Sequence, residues 1–249
     1  MAGRIVAGEW LRELRAVPDP RTVLVCCPPG GGSASAYRAL ARCFGHGTAV
    51  FAVQYPGRQD RLGDPVIADI GVLADRVAAA LSPGAPRLAL FGHSMGATVA
   101  FETARRLEAK GQNPIRLFAS GRLAPDMPFS GGVSRAPDAE VIAELERLAN
   151  DPASVAILRD EPRLAELVLP AVRADYEAVE TYRYDPGEPL RCAVSAMVGD
   201  ADPDVTPRQA GEWRRFTTGE FDLATFPGRH FYLDEKVSEV ADFIIGRLG

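Results

Sequence analysis

Residues 92–96 read Gly-His-Ser-Met-Gly, a serine held between two glycines. This matches the G-x-S-x-G elbow, where a tight strand-to-helix turn lifts a serine hydroxyl clear of the backbone. Residues two positions away crowd such a turn, so Gly92 and Gly96 have to lack side chains. Five residues match by chance often enough that the setting decides. Here the apolar run RLALF (87–91) precedes the serine and an amphipathic stretch over 95–110 follows it. Ser94 is the expected nucleophile.

A serine hydroxyl attacks poorly without a base, and histidine fits best near neutral pH. The chain offers His46, His93 and His230. His93 adjoins Ser94 on the turn, so its side chain should diverge from the hydroxyl. His46 lies between glycines before a strand and reads as a surface turn. His230 follows FPGR (226–229), in a loop after the last strand. That loop belongs at the carboxyl edge of a parallel sheet, where a base can reach the elbow. The chain order nucleophile, acid, histidine also selects His230.

The acid should end the strand CAVSAMVG (192–199), in the loop GDADPDVTP, which offers Asp200, Asp202 and Asp204. One of them must accept the histidine N–H and fix the ring. The pattern Gly-x-x-Asp-x-x-Val favours Asp202, with Val205 anchoring the loop. Asp200 is the alternative acid, and Asp204 the third choice. The unused pair read as turn formers or as a helix cap. An oxyanion needs two backbone donors. Met95, just after the nucleophile, supplies one. The other comes from the loop PPGGGSASAY (28–37), where Pro28 and Pro29 have no N–H. Gly30 is therefore first choice and Gly31 second. No GxxxxGK[ST] phosphate loop is present.

These residues need a scaffold. TVLVCC (22–27), AVFAVQY (49–55), RLALF, IRLFAS (115–120), CAVSAMVG and FDLATF (221–226) read as strands. Helical patterns cover 36–44, 67–81, 95–110, 206–217 and 232–248. In the second, Ile70, Leu73, Val77 and Leu81 share a face. Alternation of this kind predicts an α/β fold with a doubly wound, mainly parallel sheet. Residues 134–184 break the rhythm with helical patterns alone. Val141, Ile142, Leu145 and Leu148 share one face there, and Pro170 is expected to kink or divide a second helix. We read one domain over 1–249, with a helical lid inserted at about 125–188 across one sheet edge.

Composition narrows the function. The net charge is −5, which argues against nucleic-acid binding. The charged N-terminal stretch MAGRIVAGEWLRELRAV does not read as a secretion signal, and no apolar run approaches a membrane span. Three histidines without HExxH speak against a metal, and no cofactor is expected. Cys26, Cys27, Cys43 and Cys192 form no CxxC pair and read as buried free thiols in a reducing, cytoplasmic setting.

With the residues placed, the chain resembles a type II thioesterase of polyketide and nonribosomal peptide assembly lines. The resemblance rests on PPGGGSASAY, VQYPGRQDR, GHSMGATVAFE, ASGRLAPD, VGDADPDVT and FPGRHFYL. The Tyr55–Arg58 stretch is far more specific than the elbow. The family's first loop often reads Pro-His-Ala-Gly-Gly; here it is Pro28-Pro29-Gly30-Gly31-Gly32. The resemblance implies an α/β-hydrolase with a helical lid. It implies hydrolysis of acyl groups from the phosphopantetheine arm of acyl carrier proteins, editing stalled or aberrant chains. It also suggests that the 134–184 segment forms the acyl pocket and gates its entry. Arg58 and Arg61 are candidates for a carrier-docking patch, with a loop-bonding role open for Arg58. A monomer suits a protein that visits many carriers. The alternatives are a small-molecule carboxylesterase or acyl-CoA thioesterase of the same fold, and a non-catalytic scaffold.

Overall fold

The apolar runs of the sequence become the inner strands of one sheet. In the computed structural model, which describes residues 5–81, 87–127, 129 and 131–249, that sheet has seven strands. Residues 1–4 of the charged N-terminal stretch lie outside the described residues. The strands are β1 (Leu11–Arg15), β2 (Thr22–Cys27), β3 (Thr48–Val53), β4 (Leu88–His93), β5 (Arg116–Ser120), β6 (Ala193–Gly199) and β7 (Phe221–Phe226), in spatial order β1-β3-β2-β4-β5-β6-β7. All pairs are parallel except β1–β3. The antiparallel β1 was not foreseen. Its sequence, LRELR, is short and charged, as suits an edge strand.

The helices are α1 (Arg38–Arg42), α2 (Ile70–Ala80), α3 (Met95–Ala109), α4 (Asp138–Leu148), α5 (Pro152–Asp160), α6 (Pro162–Thr181), α7 (Pro207–Gly211), α8 (Tyr232–Glu235) and α9 (Val237–Leu248). They cover both faces of the sheet. Val23, Val25 and Cys27 of β2 join a core with Leu73 and Val77 of α2 and Val99 of α3. Leu24 and Cys26 join a second core with Leu40 of α1 and Ile244 of α9. Burial on two sides is why the inner strands read as unbroken apolar runs. Among the described residues no helix is long and apolar enough to cross a membrane.

Several boundaries differ from the sequence reading for local reasons. The second helical pattern starts at Ile70 because Asp69 caps it, its Oδ1 accepting the Val72 N–H at 2.8 Å. The 206–217 pattern is α7 followed by a 3₁₀ turn, Glu212–Phe216. The 232–248 pattern divides at Lys236. Cys43 ends α1 on its solvent side and is exposed, whereas the other three cysteines are buried.

Between β5 and β6 the chain makes α4, α5 and α6, which carry a small core of their own from Val141, Ile142, Leu158, Leu169, Val172 and Tyr176. The separate α5 was not anticipated. Helix α6 runs through Pro170 undivided. Leu169 and Val172, buried on either side of the proline, hold the two halves in line. Leu145 is partly buried and turns toward the cavity described below.

The insertion is tied to the sheet by a buried ion pair. Arg58 donates through both terminal nitrogens to Asp175 on α6, at 2.6 and 2.9 Å. The guanidinium also bonds the carbonyls of Pro56 and Gly32. Arg61 is equally engaged, with Glu9 at 2.8 Å, Asp64 at 2.7 Å and the Gln54 carbonyl at 3.1 Å. Both arginines are buried, so neither belongs to a docking patch. Removing one member of a buried pair strands the other charge, a loss of about 3–5 kcal/mol. Arg58→Met should therefore lower unfolding stability by about that much in a urea titration. Adding Asp175→Leu should restore part of the loss.

Candidate active site

Ser94 stands where β4 turns into α3, with φ 52° and ψ −123°. A non-glycine residue held at positive φ carries strain that its surroundings must enforce. The enforcing contacts are visible. The Ser94 N–H donates to the Ser120 carbonyl of β5 at 2.8 Å. A β-carbon on Gly92 would collide with the Gly96 carbonyl, and one on Gly96 with the Cys27 carbonyl. At its far end α3 closes with Gly111 at φ +76°. There the N–H groups of Gly111 and Gln112 donate to the carbonyls of Glu108 and Leu107.

His230 lies in the loop between β7 and α8, and its Nδ1 is 2.9 Å from Asp202 Oδ2. The Asp202 side chain is fully buried. Its other oxygen accepts the N–H groups of Asp204 and Val205, which fixes the turn. Asp200 points away and accepts the Gly228 N–H at 2.9 Å. Asp204 pairs with Arg147 of α4 at 2.8 Å. Neither aspartate caps α7, since Thr206 does so in a capping box with Gln209. His230 Nε2 is buried without a hydrogen-bond partner among the described residues, and it borders the cavity that Ser94 lines. Such bonds often tighten only when substrate is bound.

Met95 and Gly30 both line the same cavity. Met95 is the first residue of α3, so its N–H has no intrahelical acceptor. In the glycine loop the Gly31 N–H is taken by Asp175 Oδ2 at 2.7 Å. This leaves Gly30, which lines the cavity beside Pro29.

His93 does diverge from the hydroxyl. Its Nδ1 lies 2.9 Å from Ser120 Oγ, which in turn lies 2.6 Å from the Tyr232 hydroxyl. Its ring is 4.9 Å from that of His230. Gly121, with φ +57°, passes so close that a β-carbon there would come within 2.6 Å of His93 Cε1. His46 is exposed in a turn. The sequence reading missed the His93–Ser120–Tyr232 chain and Asp175. A charged residue on the buried face of α6, between Val172 and Val179, was the available signal for the latter.

The cavity at Ser94 is small, with a volume of about 60 Å³. Phe129, Leu145, Leu148, Tyr176 and Val179 wall it from the insertion side. A second, larger cleft shares Pro29, Gly30, Leu145 and Phe231 with it and opens between the insertion and α8. A serine at positive φ, an imidazole bonded to a buried carboxylate and the backbone of Met95 and Gly30 around one cavity suit acyl transfer.

Residues 22–248 match the family model described as "Thioesterase domain". The chain belongs to the thioesterase family. It is 41% identical over 245 residues to Thioesterase PikA5 of Streptomyces venezuelae, covering 97% of this chain and 86% of that one. It is 42% identical to a probable cadicidin biosynthesis thioesterase of Streptomyces griseus, over 94% of this chain and 64% of that protein. The solved type II thioesterase BorB, from the borrelidin biosynthetic cluster, superposes with a TM-score of 0.88 at 40% identity, over 99% of this chain and 100% of that one.

This thioesterase is thus a hydrolase acting on thioesters, of the type II group found in polyketide and nonribosomal peptide pathways. Its fold is that of the α/β-hydrolases.

Burial, and then the neighbouring His230, hold the His93 imidazole well below its ordinary pKa of 6.5. The unfolded chain then binds a proton below pH 6.5 that the native state refuses. Stability contributed by this site is complete above pH 6.5 and declines as the solution is acidified. In His93→Asn the slope of unfolding free energy against pH, between 6.5 and about 5, should be shallower by up to about 1.4 kcal/mol per unit. Gly96→Ala should abolish the folded state, read as loss of the cooperative urea transition.

Proposed function

We propose that this thioesterase cleaves acyl chains from the phosphopantetheine thiol of acyl carrier proteins, with Ser94, His230 and Asp202 as its catalytic triad. His230 Nε2 takes the Ser94 proton as Oγ attacks the thioester carbonyl. Asp202 holds Nδ1–H and stabilises the imidazolium. The N–H groups of Met95 and Gly30 receive the oxyanion, each contributing about 3 kcal/mol to the barrier reduction. The leaving thiolate departs readily, since a thiol has a pKa of about 8.5, and takes up the proton from His230. The same imidazole then deprotonates water, which cleaves the acyl-enzyme and returns Ser94 to its hydroxyl form.

The observation that carries this reading is the 2.9 Å contact between His230 and a buried Asp202, at a cavity shared with a strained Ser94. The two connected clefts support a thioester in particular. Such a substrate has arms on both sides of its carbonyl carbon. The small cavity under the insertion suits the start of the acyl arm, and the larger cleft suits the pantetheine arm. The insertion acts as the lid over both. A relative named for cadicidin biosynthesis and a solved neighbour from the borrelidin biosynthetic cluster support a role in releasing stalled chains from a synthase.

The test is acid release from acyl carrier protein by the purified enzyme. Ser94→Ala and His230→Ala should each lower turnover at least about 10³-fold with the fold retained. Asp202→Asn should cost far more than Asp200→Asn, and the reverse order would reassign the acid. Simple oxygen esters turned over much faster than acyl carriers would make the enzyme a carboxylesterase instead.

A further inference from the structure

Hydrogen bonding fixes the His230 imidazole at one atom. Nδ1 meets Asp202 at 2.9 Å, and Nε2 has no partner among the described residues. A ring tethered at one nitrogen still swings about its χ2 torsion, whose minimum is broad. Its plane is then set by what lies against it. The His93 ring lies there, 4.9 Å away between centroids and tilted by 51°. Phe231 meets both imidazoles, at 5.1 Å from His230 and 5.3 Å from His93. Gly121 admits the pair, since a β-carbon there would come within 2.6 Å of His93 Cε1 and 3.4 Å of His230 Cε1.

His93 is itself held in place. It is fully buried, and its Nδ1 lies 2.9 Å from Ser120 Oγ. Ser120 Oγ lies 2.6 Å from the Tyr232 hydroxyl. The Tyr232 ring is stacked on Phe226 at 5.1 Å, 9° from parallel. The bonding assigns the protons. Tyr232 donates to Ser120, and Ser120 donates to His93 Nδ1. In the reverse order the Tyr232 proton has no acceptor among the described residues. His93 thus enters the chain as a neutral acceptor with its ring proton on Nε2, and that atom is buried without a partner. An unpaired buried polar atom is destabilising. A phenyl ring would fill similar space without that penalty, but it could not accept from Ser120. The chain therefore runs from the Phe226–Tyr232 stack, through two hydroxyls, to the ring beside the base.

We propose that His93 is a positioning residue: Tyr232 and Ser120 fix its ring, and its ring fixes the plane in which His230 Nε2 exchanges a proton with Ser94. This rests on the triad given above. A reacting side chain is held to its productive geometry by neighbours whose own rotamers are locked. In this role His93 touches no reacting atom and passes no proton. Because it also borders the larger cleft, the test has to separate ring positioning from substrate binding.

Tyr232→Phe and Ser120→Ala each delete one hydroxyl and keep the carbon packing. The measurement is turnover of acyl carrier protein where a urea titration shows the variant fully folded. Each should lower kcat about tenfold, the scale of a slight misplacement of a reacting group. His93→Phe should match Ser120→Ala. The double variant Tyr232→Phe, Ser120→Ala should lose no more than the larger single loss, because both cut one chain. In a His230→Ala background Ser120→Ala should add no further loss, since no imidazole remains to be held. In a Ser94→Ala background it should leave the affinity for an acyl-pantetheine amide unchanged. Wild-type kcat in both single variants overturns the proposal, and so do additive losses in the double variant. A Ser120→Ala loss that persists in the His230→Ala background, or that appears as weaker binding, also overturns it. Tyr232→Phe carries the same tests if Ser120→Ala does not fold. Full turnover in His230→Ala alone would instead sink the triad reading.

Discussion

The buried pair of Arg58 and Asp175 is the constraint on which the site depends. Three separate pieces of chain meet at it. Arg58 comes from the turn after β3, Asp175 from the insertion helix α6, and the Gly31 N–H from the loop after β2. A bidentate guanidinium–carboxylate contact leaves little freedom in any of the three. It sets the height of the insertion above the sheet. It also takes up the Gly31 N–H, while the neighbouring Gly30 lines the cavity. The same carboxylate thereby shapes both the roof of the cavity and the backbone beside the nucleophile.

Around this clasp the groups are arranged by burial. The elbow puts Ser94 at positive φ because Gly92 and Gly96 let β4, α3 and the end of β2 approach closer than side chains allow. Behind it lies a further layer, His93, Ser120 and Tyr232 bonded in a chain against His230. Burial and the neighbouring His230 keep His93 neutral, so no second positive charge develops beside the imidazole proposed as the base.

Much of this was legible in the sequence. The parallel core was visible because strands buried on both faces have unbroken apolar runs, and the elbow was visible because its glycines are sterically obligatory. Asp202 and His230 followed from the ends of strands. The strand β1 was hidden, since five residues with alternating charge give too short a pattern. Helix caps moved several boundaries, as Asp69 and Thr206 illustrate. Arg58 and Arg61 read as candidates for a docking patch, and only the loop-bonding role held open for Arg58 matches what is seen, because burial of an arginine depends on partners far away in the chain. Asp175 is 117 residues from Arg58, and no local pattern links them.

The insertion's separate core has a consequence for how such enzymes diversify. Val141, Ile142, Leu158, Leu169 and Val172 pack among themselves, while Ala178 and Val179 at the far end of α6 join a core of the sheet. Residues that face the chamber, such as Leu145 and Leu148, can drift without disturbing β2 through β6. Substitutions at such positions can accumulate in the insertion while the strands that carry Ser94 and Asp202 keep their packing.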